Sequence, residues 1–201
     1  MYTRPYDPRR PQVCLAATSR QLLREGRPPP PAPAQPARYD AEYERADVVN
    51  FFLVCEPVRG WREVRGSDQR TRGDGAHGVK DLVDVPFPDA DTIVLGMDQW
   101  NTPSPASLYE AFPPTEAKRL ADQLEIHSTP KHGSWLAIAE IEWPILQRQC
   151  LDRRLPDRAT GEREGAAWVA DRNAAEHRID WRFPTADARI KLKHLYPASH
   201  T

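Results

Sequence analysis

The sequence predicts an α/β domain in which a mixed β-sheet is flanked by helices. Residues 48–55 form an apolar run of β-branched and aromatic residues. A turn separates this run from a second strand pattern at residues 61–64, which indicates an antiparallel hairpin. Residues 92–97 are almost continuously apolar, as in a strand buried on both faces. Helices between strands supply the crossovers that parallel pairing needs, so the sheet is expected to be mixed.

The other elements follow from the spacing of apolar residues. Short apolar segments at residues 13–15 and 124–127 predict two further strands. Helical spacing or composition predicts helices at residues 74–85, 105–123, 134 onward, 159–175 and 185–195. Six of the 21 prolines lie in residues 28–36, which predicts an extended connector; a ligand for an SH3-type domain is the alternative.

Composition excludes several classes of protein. No apolar run approaches the roughly 20 residues of a membrane-spanning helix, and the first residues lack a secretory signal pattern. Three cysteines are too few and too scattered for a disulfide framework, so we expect a reduced cytoplasmic chain. The formal net charge is −1, so any contact with nucleic acid depends on local basic patches.

Acidic side chains near the buried strand are the first candidates for chemistry. Asp98 directly follows residues 92–97, and sites in open α/β sheets form beyond the carboxyl ends of strands. It is a candidate metal ligand or base; capping of the next turn is the alternative. Glu140 and Glu142 are two residues apart in a predicted helix, so at most one of them faces a site shared with Asp98. Either could instead be a solvated helix residue.

A second set of candidates is basic. These side chains could contact the phosphates of nucleic acid; they are Lys131, His132, Arg148, Arg153 and Arg154. Acidic residues interrupt the arginine stretch, so a solvated helix face is an equal alternative for it. A structural role is the alternative for the histidine.

Several segments together resemble the catalytic domain of bacterial insertion-sequence transposases related to mariner, a group of DDE superfamily endonucleases. The resemblance runs from about Pro11 to Pro197. It is carried by residues 93–101, 106–113, 127–136, 140–142, 148–154 and 187–193. It implies a ribonuclease-H-like fold, DNA strand cleavage and transfer, and three carboxylates that bind two divalent ions, Mg²⁺ or Mn²⁺. In this sequence Asp98 matches the second carboxylate and Glu140 the third.

The resemblance also predicts how the chain is divided. We expect an N-terminal tail at residues 1–10 and a ribonuclease-H-like domain at residues 11–156. A C-terminal helical extension follows at residues 157–201. The helix-turn-helix region that recognises transposon ends in such proteins is expected to be missing.

Departures from the family pattern predict a degenerate domain. The family places its first carboxylate, in a Leu-Asp-Glu-like motif, where this sequence has Ala16 followed by Ala17. The turn after Asp98 contains Pro103 where the family usually has histidine. Pro144 is expected to kink the helix at Glu140, because a proline ring clashes with the carbonyl four residues earlier.

Helix-weakening residues point in the same direction. Four glycines in predicted helices cost about 1 kcal/mol each relative to good helix formers, and the proline costs about 3 kcal/mol. The glycines are Gly75, Gly78, Gly161 and Gly165. Marginal folding is therefore expected.

These observations lead to one main hypothesis and two alternatives. The main hypothesis is a transposase catalytic domain that is inactive or strongly impaired, with DNA as its partner and with Mg²⁺ or Mn²⁺ as its cofactor if activity remains. It would form a homodimer or pair with an intact transposase. The first alternative is a non-catalytic protein that binds DNA or blocks an intact transposase. The second is the product of a decayed gene that does not fold.

Overall fold

A five-stranded mixed sheet forms the centre of the chain. The computed structural model describes residues 1–2, 4–25, 43–98, 104–129, 137–183, 185–191 and 193. Within them the strand order is β3-β2-β1-β4-β5. The strands are β1 (Gln12–Glu25), β2 (Tyr43–Glu56), β3 (Trp61–Ser67), β4 (Ile93–Met97) and β5 (Leu124–Ser128). β1, β2 and β3 pair antiparallel, whereas β4 is parallel to both β1 and β5. This confirms the predicted α/β class and is consistent with a ribonuclease-H-like fold.

Helices cover both faces of the sheet. They are α1 (Arg72–Asp84), α2 (Pro105–Ala111), α3 (Pro114–Asp122), α4 (Ala139–Leu146), α5 (Arg158–Ala174) and α6 (Thr185–Lys191). A π-helical segment, Gln147–Leu151, directly follows α4. Residues of α1, α2 and α3 share one buried apolar cluster, and residues of α4 and α5 share the other.

Alternation along β1 assigns its side chains to the two cores. Val13 and Leu15 pack in the cluster of α1, α2 and α3, whereas Cys14 and Ala16 pack in the cluster of α4 and α5. Side chains of successive strand residues point to opposite faces of a sheet. Both faces of β1 are therefore buried, as expected for the central strand.

The helix predicted at residues 105–123 is two helices. Phe112 has an extended backbone, with φ −130° and ψ 157°; it and Pro113 separate α2 from α3, which begins at Pro114. The ring of Pro113 disfavours helical backbone at the residue before it, while Pro114 fits the first position of a new helix. The apolar spacing continues across this break, which is why the pattern predicts one helix.

Some predictions concern segments outside the described residues. The connector at residues 28–36 and the start of the helix predicted from residue 134 are both among them. The described helix runs from Ala139 to Leu146 and includes Pro144, and the kink expected at Glu140 stays a prediction. The division at residues 10 and 156 stays a prediction.

Two glycines in α5 have a packing role that their helix propensity does not suggest. A Cβ atom added at Gly161 would lie 2.7 Å from Cζ of Phe51, and one at Gly165 would lie 3.4 Å from Cγ1 of Val64. These glycines allow α5 to lie directly on β2 and β3. A Cβ added at Gly78 in α1 would meet nothing within 4 Å.

We therefore expect opposite outcomes from two glycine-to-alanine substitutions. Gly78→Ala should stabilise the fold by about 1 kcal/mol, the difference in helix propensity between the two residues. Gly161→Ala should lower stability by about 1–3 kcal/mol, because the added methyl group overpacks the contact with Phe51. Urea unfolding followed by circular dichroism measures both free energies. Stabilisation by both substitutions would contradict the close approach of α5 to the sheet.

Candidate active site

The pairing of β1 with β4 places Ala16 next to Asp98. Cys14 is paired with Gly96 and Leu15 with Met97 in this parallel ladder. The ladder ends with this second pair, and the next residues along the chain are Ala16 and Asp98. Ala16 is buried and Asp98 is partly buried. The first strand and the carboxyl end of the fourth therefore meet at these two residues.

Helix α4 brings Glu140 to the same place. Ile138 and Ala139 are buried in the cluster that contains Ala16, and Glu140 follows them in the first turn of α4. The pKa of the half-buried Glu140 is raised, first by burial and then by the negative charge of Asp98. The two predicted site carboxylates are therefore close enough to interact electrostatically.

Glu142 points elsewhere and is fully buried. Nη2 of Arg62 and Nη2 of Arg172 each donate a hydrogen bond to its Oε1 atom at 3.2 Å. Arg62 comes from β3 and Arg172 from α5, so three elements meet at one carboxylate. Of the two glutamates in α4, Glu142 holds the helix in place and Glu140 approaches Asp98.

Further hydrogen bonds hold Arg62 in this network. Its Nη1 donates to the carbonyl of Gly60 at 2.9 Å, and its Nη2 donates to the carbonyl of His177 at 2.5 Å. The guanidinium groups of Arg62 and Arg172 lie 6.0 and 5.1 Å from the ring centroid of Trp168. Buried charges need such partners, because desolvation of an unpaired ion costs several kcal/mol.

Arg70 reaches the site from the loop between β3 and α1. Its Nη1 donates to the carbonyl of Ala17 at 3.4 Å, one residue beyond Ala16. Its positive charge lowers the pKa of Glu140, against the larger effects of burial and Asp98. This exposed guanidinium is therefore close enough to Glu140 to affect its pKa. The sequence gives no sign of this, because Arg70 lies in a polar loop without a motif.

The residues that the structure describes do not fit a site for two divalent ions. Among the described residues, no group of three or more His, Cys, Asp and Glu side chains could hold a metal ion. Two ions about 3.5–4 Å apart are held by shared oxygen ligands. The methyl group of Ala16, which directly follows the last pair of the β1–β4 ladder, supplies no oxygen.

The structure separates the predicted nucleic-acid contacts. Lys131 and His132 lie outside the described residues. Arg148 and Arg153 line one surface cavity, where Arg153 forms an ion pair with Glu164. The guanidinium of Arg154 lies 5.5 Å from the ring centroid of Tyr43 in β2. Two of the three described arginines therefore share a surface, and contact with DNA stays a prediction.

Fold and site together define a class of protein. The class is that of ribonuclease-H-like α/β domains with acidic residues at the carboxyl end of a central parallel strand. A family model described as DDE superfamily endonuclease matches residues 19–160, more than two thirds of the chain. The chain belongs to this family. The match includes Asp98 and Glu140 and begins three residues after Ala16.

Family membership supports a transposase-like nuclease function that involves DNA. DDE endonuclease domains generally use divalent metal ions. A search of curated proteins found no match to the chain. None of the helices in the described ranges is long and apolar enough to cross a membrane.

The two glutamates of α4 should respond oppositely to substitution by glutamine. Glu142→Gln removes the charge that pairs with Arg62 and Arg172, and should destabilise the fold by about 3–5 kcal/mol. Glu140→Gln should not destabilise it at pH 7, because the raised pKa of Glu140 means that the ionised form is disfavoured in the folded chain. Chemical unfolding of both variants measures the difference.

The effect of Glu140→Gln on stability depends on pH. The folded-state pKa of Glu140 lies above its ordinary value of 4.5, so folding takes up a proton and the ionised carboxylate costs stability as pH rises through that range. Glu140→Gln should therefore gain relative stability between pH 4 and pH 7. If Glu140→Gln lost more stability than Glu142→Gln, then Glu140, and not Glu142, would be the glutamate that holds the helix in place.

Substitution of Asp98 tests the proximity of the two site carboxylates. Asp98→Asn should lower the pKa of Glu140, because the negative charge of Asp98 is the second largest cause of its increase. Carbon-13 NMR titration of the Glu140 carboxyl group measures this shift. Asp152→Asn, which removes an exposed carboxylate, is the control. If the pKa of Glu140 were equal in the unsubstituted chain and in both variants, Asp98 and Glu140 would not interact.

Proposed function

We propose that this chain is a DDE transposase catalytic domain whose DNA strand cleavage is absent or strongly impaired. One observation supports the proposal: the ladder between β1 and β4 ends at Leu15 paired with Met97, one residue before Ala16 and Asp98, and the family resemblance expects the first carboxylate at Ala16. Asp98 and Glu140 supply the two remaining carboxylates.

The physical reason lies in the chemistry of phosphodiester transfer. Two-metal catalysis places one ion at the attacking oxygen and another at the leaving oxygen. Mg²⁺ and Mn²⁺ at such sites are held by a few carboxylates together with water and phosphate oxygens. Asp98 and Glu140 could supply ligands for one ion, whereas Ala16 supplies none, so the second ion lacks a shared ligand.

We also propose partners and an origin. The bacterial insertion-sequence group related to mariner is the origin that the sequence motifs favour. DNA contact would use Lys131, His132, Arg148, Arg153 and Arg154. A domain that keeps its scaffold without full chemistry could still form a homodimer or pair with an intact transposase in the cytoplasm.

Restoring the missing carboxylate tests the proposal. Purified chain, Ala16→Asp, Ala16→Asn and the double variant Ala16→Asp/Asp98→Asn are incubated with supercoiled plasmid and Mg²⁺ or Mn²⁺. We expect nicking from Ala16→Asp alone. The gain should be on the order of 100-fold or more, because even the loss of an outer-shell partner of a metal ligand costs about 10–100-fold.

Two controls make the assay specific. Ala16→Asn has nearly the size of the aspartate without its charge, and the double variant removes the second carboxylate. Thermal unfolding of each variant establishes that it is folded. Metal-dependent nicking by the unsubstituted chain that Asp98→Asn abolishes would contradict the proposal, because it would show that Ala16 does not limit the chemistry.

A further inference from the structure

Two of the three cysteines lie directly opposite each other in the sheet. The antiparallel ladder between β1 and β2 pairs Cys14 with Cys55. Both side chains belong to the apolar cluster of α4 and α5, so they point to the same face, and both are fully buried thiols. The third cysteine, Cys150, lies in the π-helical segment and is partly exposed. The fold therefore brings together two thiols that are distant in the sequence.

The backbone geometry of this pair suits a disulfide bond. Directly opposed residues of antiparallel strands have Cα atoms about 4.5–5.5 Å apart. Disulfides join residues whose Cα atoms are about 4.4–6.8 Å apart. Hydrogen bonding with the Cys14 thiol, followed by burial, raises the pKa of Cys55. The two thiols are therefore already in contact, and a bond between them needs no change of strand register.

Tyr2 covers the Cys14 thiol. Its hydroxyl accepts hydrogen bonds from Sγ of Cys14 at 3.4 Å and from the backbone N–H of Ile138 at 3.2 Å. On β4, Gly96 is paired with Cys14, and a Cβ atom added there would lie 3.2 Å from the hydroxyl oxygen of Tyr2. The lack of a side chain at Gly96 thus makes room for the phenol beside the thiol.

The Tyr2 side chain also lines a cavity of about 270 Å³. Its ring centroid is 5.0 Å from that of Trp181, which belongs to the same cavity wall. One water molecule takes up about 30 Å³, so the cavity has room for several waters or for a small oxidant such as hydrogen peroxide. Because Tyr2 contacts Cys14, a movement of its ring into the cavity exposes the Cys14 sulfur.

We propose that Cys14 and Cys55 are an oxidation site: a hydroperoxide converts them to a reversible disulfide, and the side chain of Tyr2 controls access to Cys14. A buried thiol is inert while it is enclosed, so oxidation follows local opening at Tyr2. The inference goes beyond the proposed function, because it involves neither DNA nor a metal ion. In a reducing compartment such a bond is transient and forms in response to oxidising conditions.

Oxidation of the pair takes two steps. The Cys14 sulfur, as the thiolate, attacks one peroxide oxygen; an S–O bond forms, the O–O bond breaks, and the departing hydroxide takes up the thiol proton to become water. The Cys55 sulfur then attacks the sulfenic acid; the S–S bond forms, the S–O bond breaks, and a second water leaves. The two thiols lose two electrons and two protons, and the peroxide is reduced to two waters.

The bond cross-links the central strand to its neighbour. It closes the chain from Cys14 to Cys55, a loop that contains the proline-rich residues 28–36. Closing a long loop lowers the entropy of the unfolded chain and so stabilises the fold. The midpoint of thermal unfolding should therefore rise by about 5 °C or more on oxidation and return to its first value on reduction.

Peptide mapping after peroxide treatment tests the oxidation site. The three cysteines lie on three different tryptic peptides, so each possible pairing is distinguishable by mass. The folded, reduced chain is treated with hydrogen peroxide, its remaining thiols are alkylated, and its peptides are analysed with and without dithiothreitol. We expect a link between Cys14 and Cys55 within one chain, which dithiothreitol removes. Cys14→Ala or Cys55→Ala should abolish this link, whereas Cys150→Ala should keep it.

Substitution of two tyrosines tests the control of access. Tyr2→Ala should speed formation of the link about fivefold or more, because the loss of one hydrogen bond changes an opening equilibrium by roughly that factor. Tyr6→Ala is the matched control, since Tyr6 is an exposed tyrosine of the same segment. Tyr2→Phe, which removes only the hydroxyl, should also speed the reaction and replaces Tyr2→Ala if circular dichroism shows that the alanine variant is not folded.

Several results would overturn the inference. One is that Cys14 and Cys55 both remain open to alkylation after peroxide has fully oxidised Cys150. Others are a link of either residue to Cys150, a link found only between two chains, or equal rates of formation in the Tyr2 and Tyr6 variants. A lower thermal midpoint in the oxidised chain would also contradict it, because the two strands would then not meet as the ladder requires. None of these results depends on the nicking assay.

Discussion

The parallel ladder between β1 and β4 is the constraint on which the site depends. Four consecutive residue pairs, from Gln12 with Val94 to Leu15 with Met97, fix the register of the two strands. A shift of one residue would turn every side chain of β1 to the other face of the sheet. Both faces of β1 are buried in separate apolar clusters, so the register is strongly specified, and Ala16 and Asp98 directly follow its last pair.

A buried ion network extends this constraint to the helix that carries Glu140. Arg62 and Arg172 both pair with Glu142, which ties α4 to β3 and α5. Because helix residues two apart cannot share a face, holding Glu142 in this network leaves Glu140 free to approach Asp98. Close packing at Gly161 brings α5 onto the sheet, and α5 carries the Arg172 that pairs with Glu142. In the function that we propose, the scaffold of a nuclease site is thus kept although alanine stands where the first carboxylate is expected.

Much of the fold could be predicted from the sequence because strand patterns report burial directly. The run at residues 92–97 is apolar because both faces of β4 are covered, and Asp98 ends it. The paired prolines after Phe112 divide a helix whose apolar spacing continues unchanged, so periodicity alone misses the break. Contacts between distant segments leave no local pattern. The pairing of Arg62 with Glu142 and the approach of Arg70 to Ala17 therefore appear only in three dimensions.

The central claim is that position 16 decides whether this site can hold two metal ions. Electron paramagnetic resonance of bound Mn²⁺ measures this directly, because two ions about 3.5–4 Å apart are magnetically coupled. The account predicts a coupled pair in the Ala16→Asp variant and none in the unsubstituted chain. A coupled pair in the unsubstituted chain, abolished by Asp98→Asn, would contradict it.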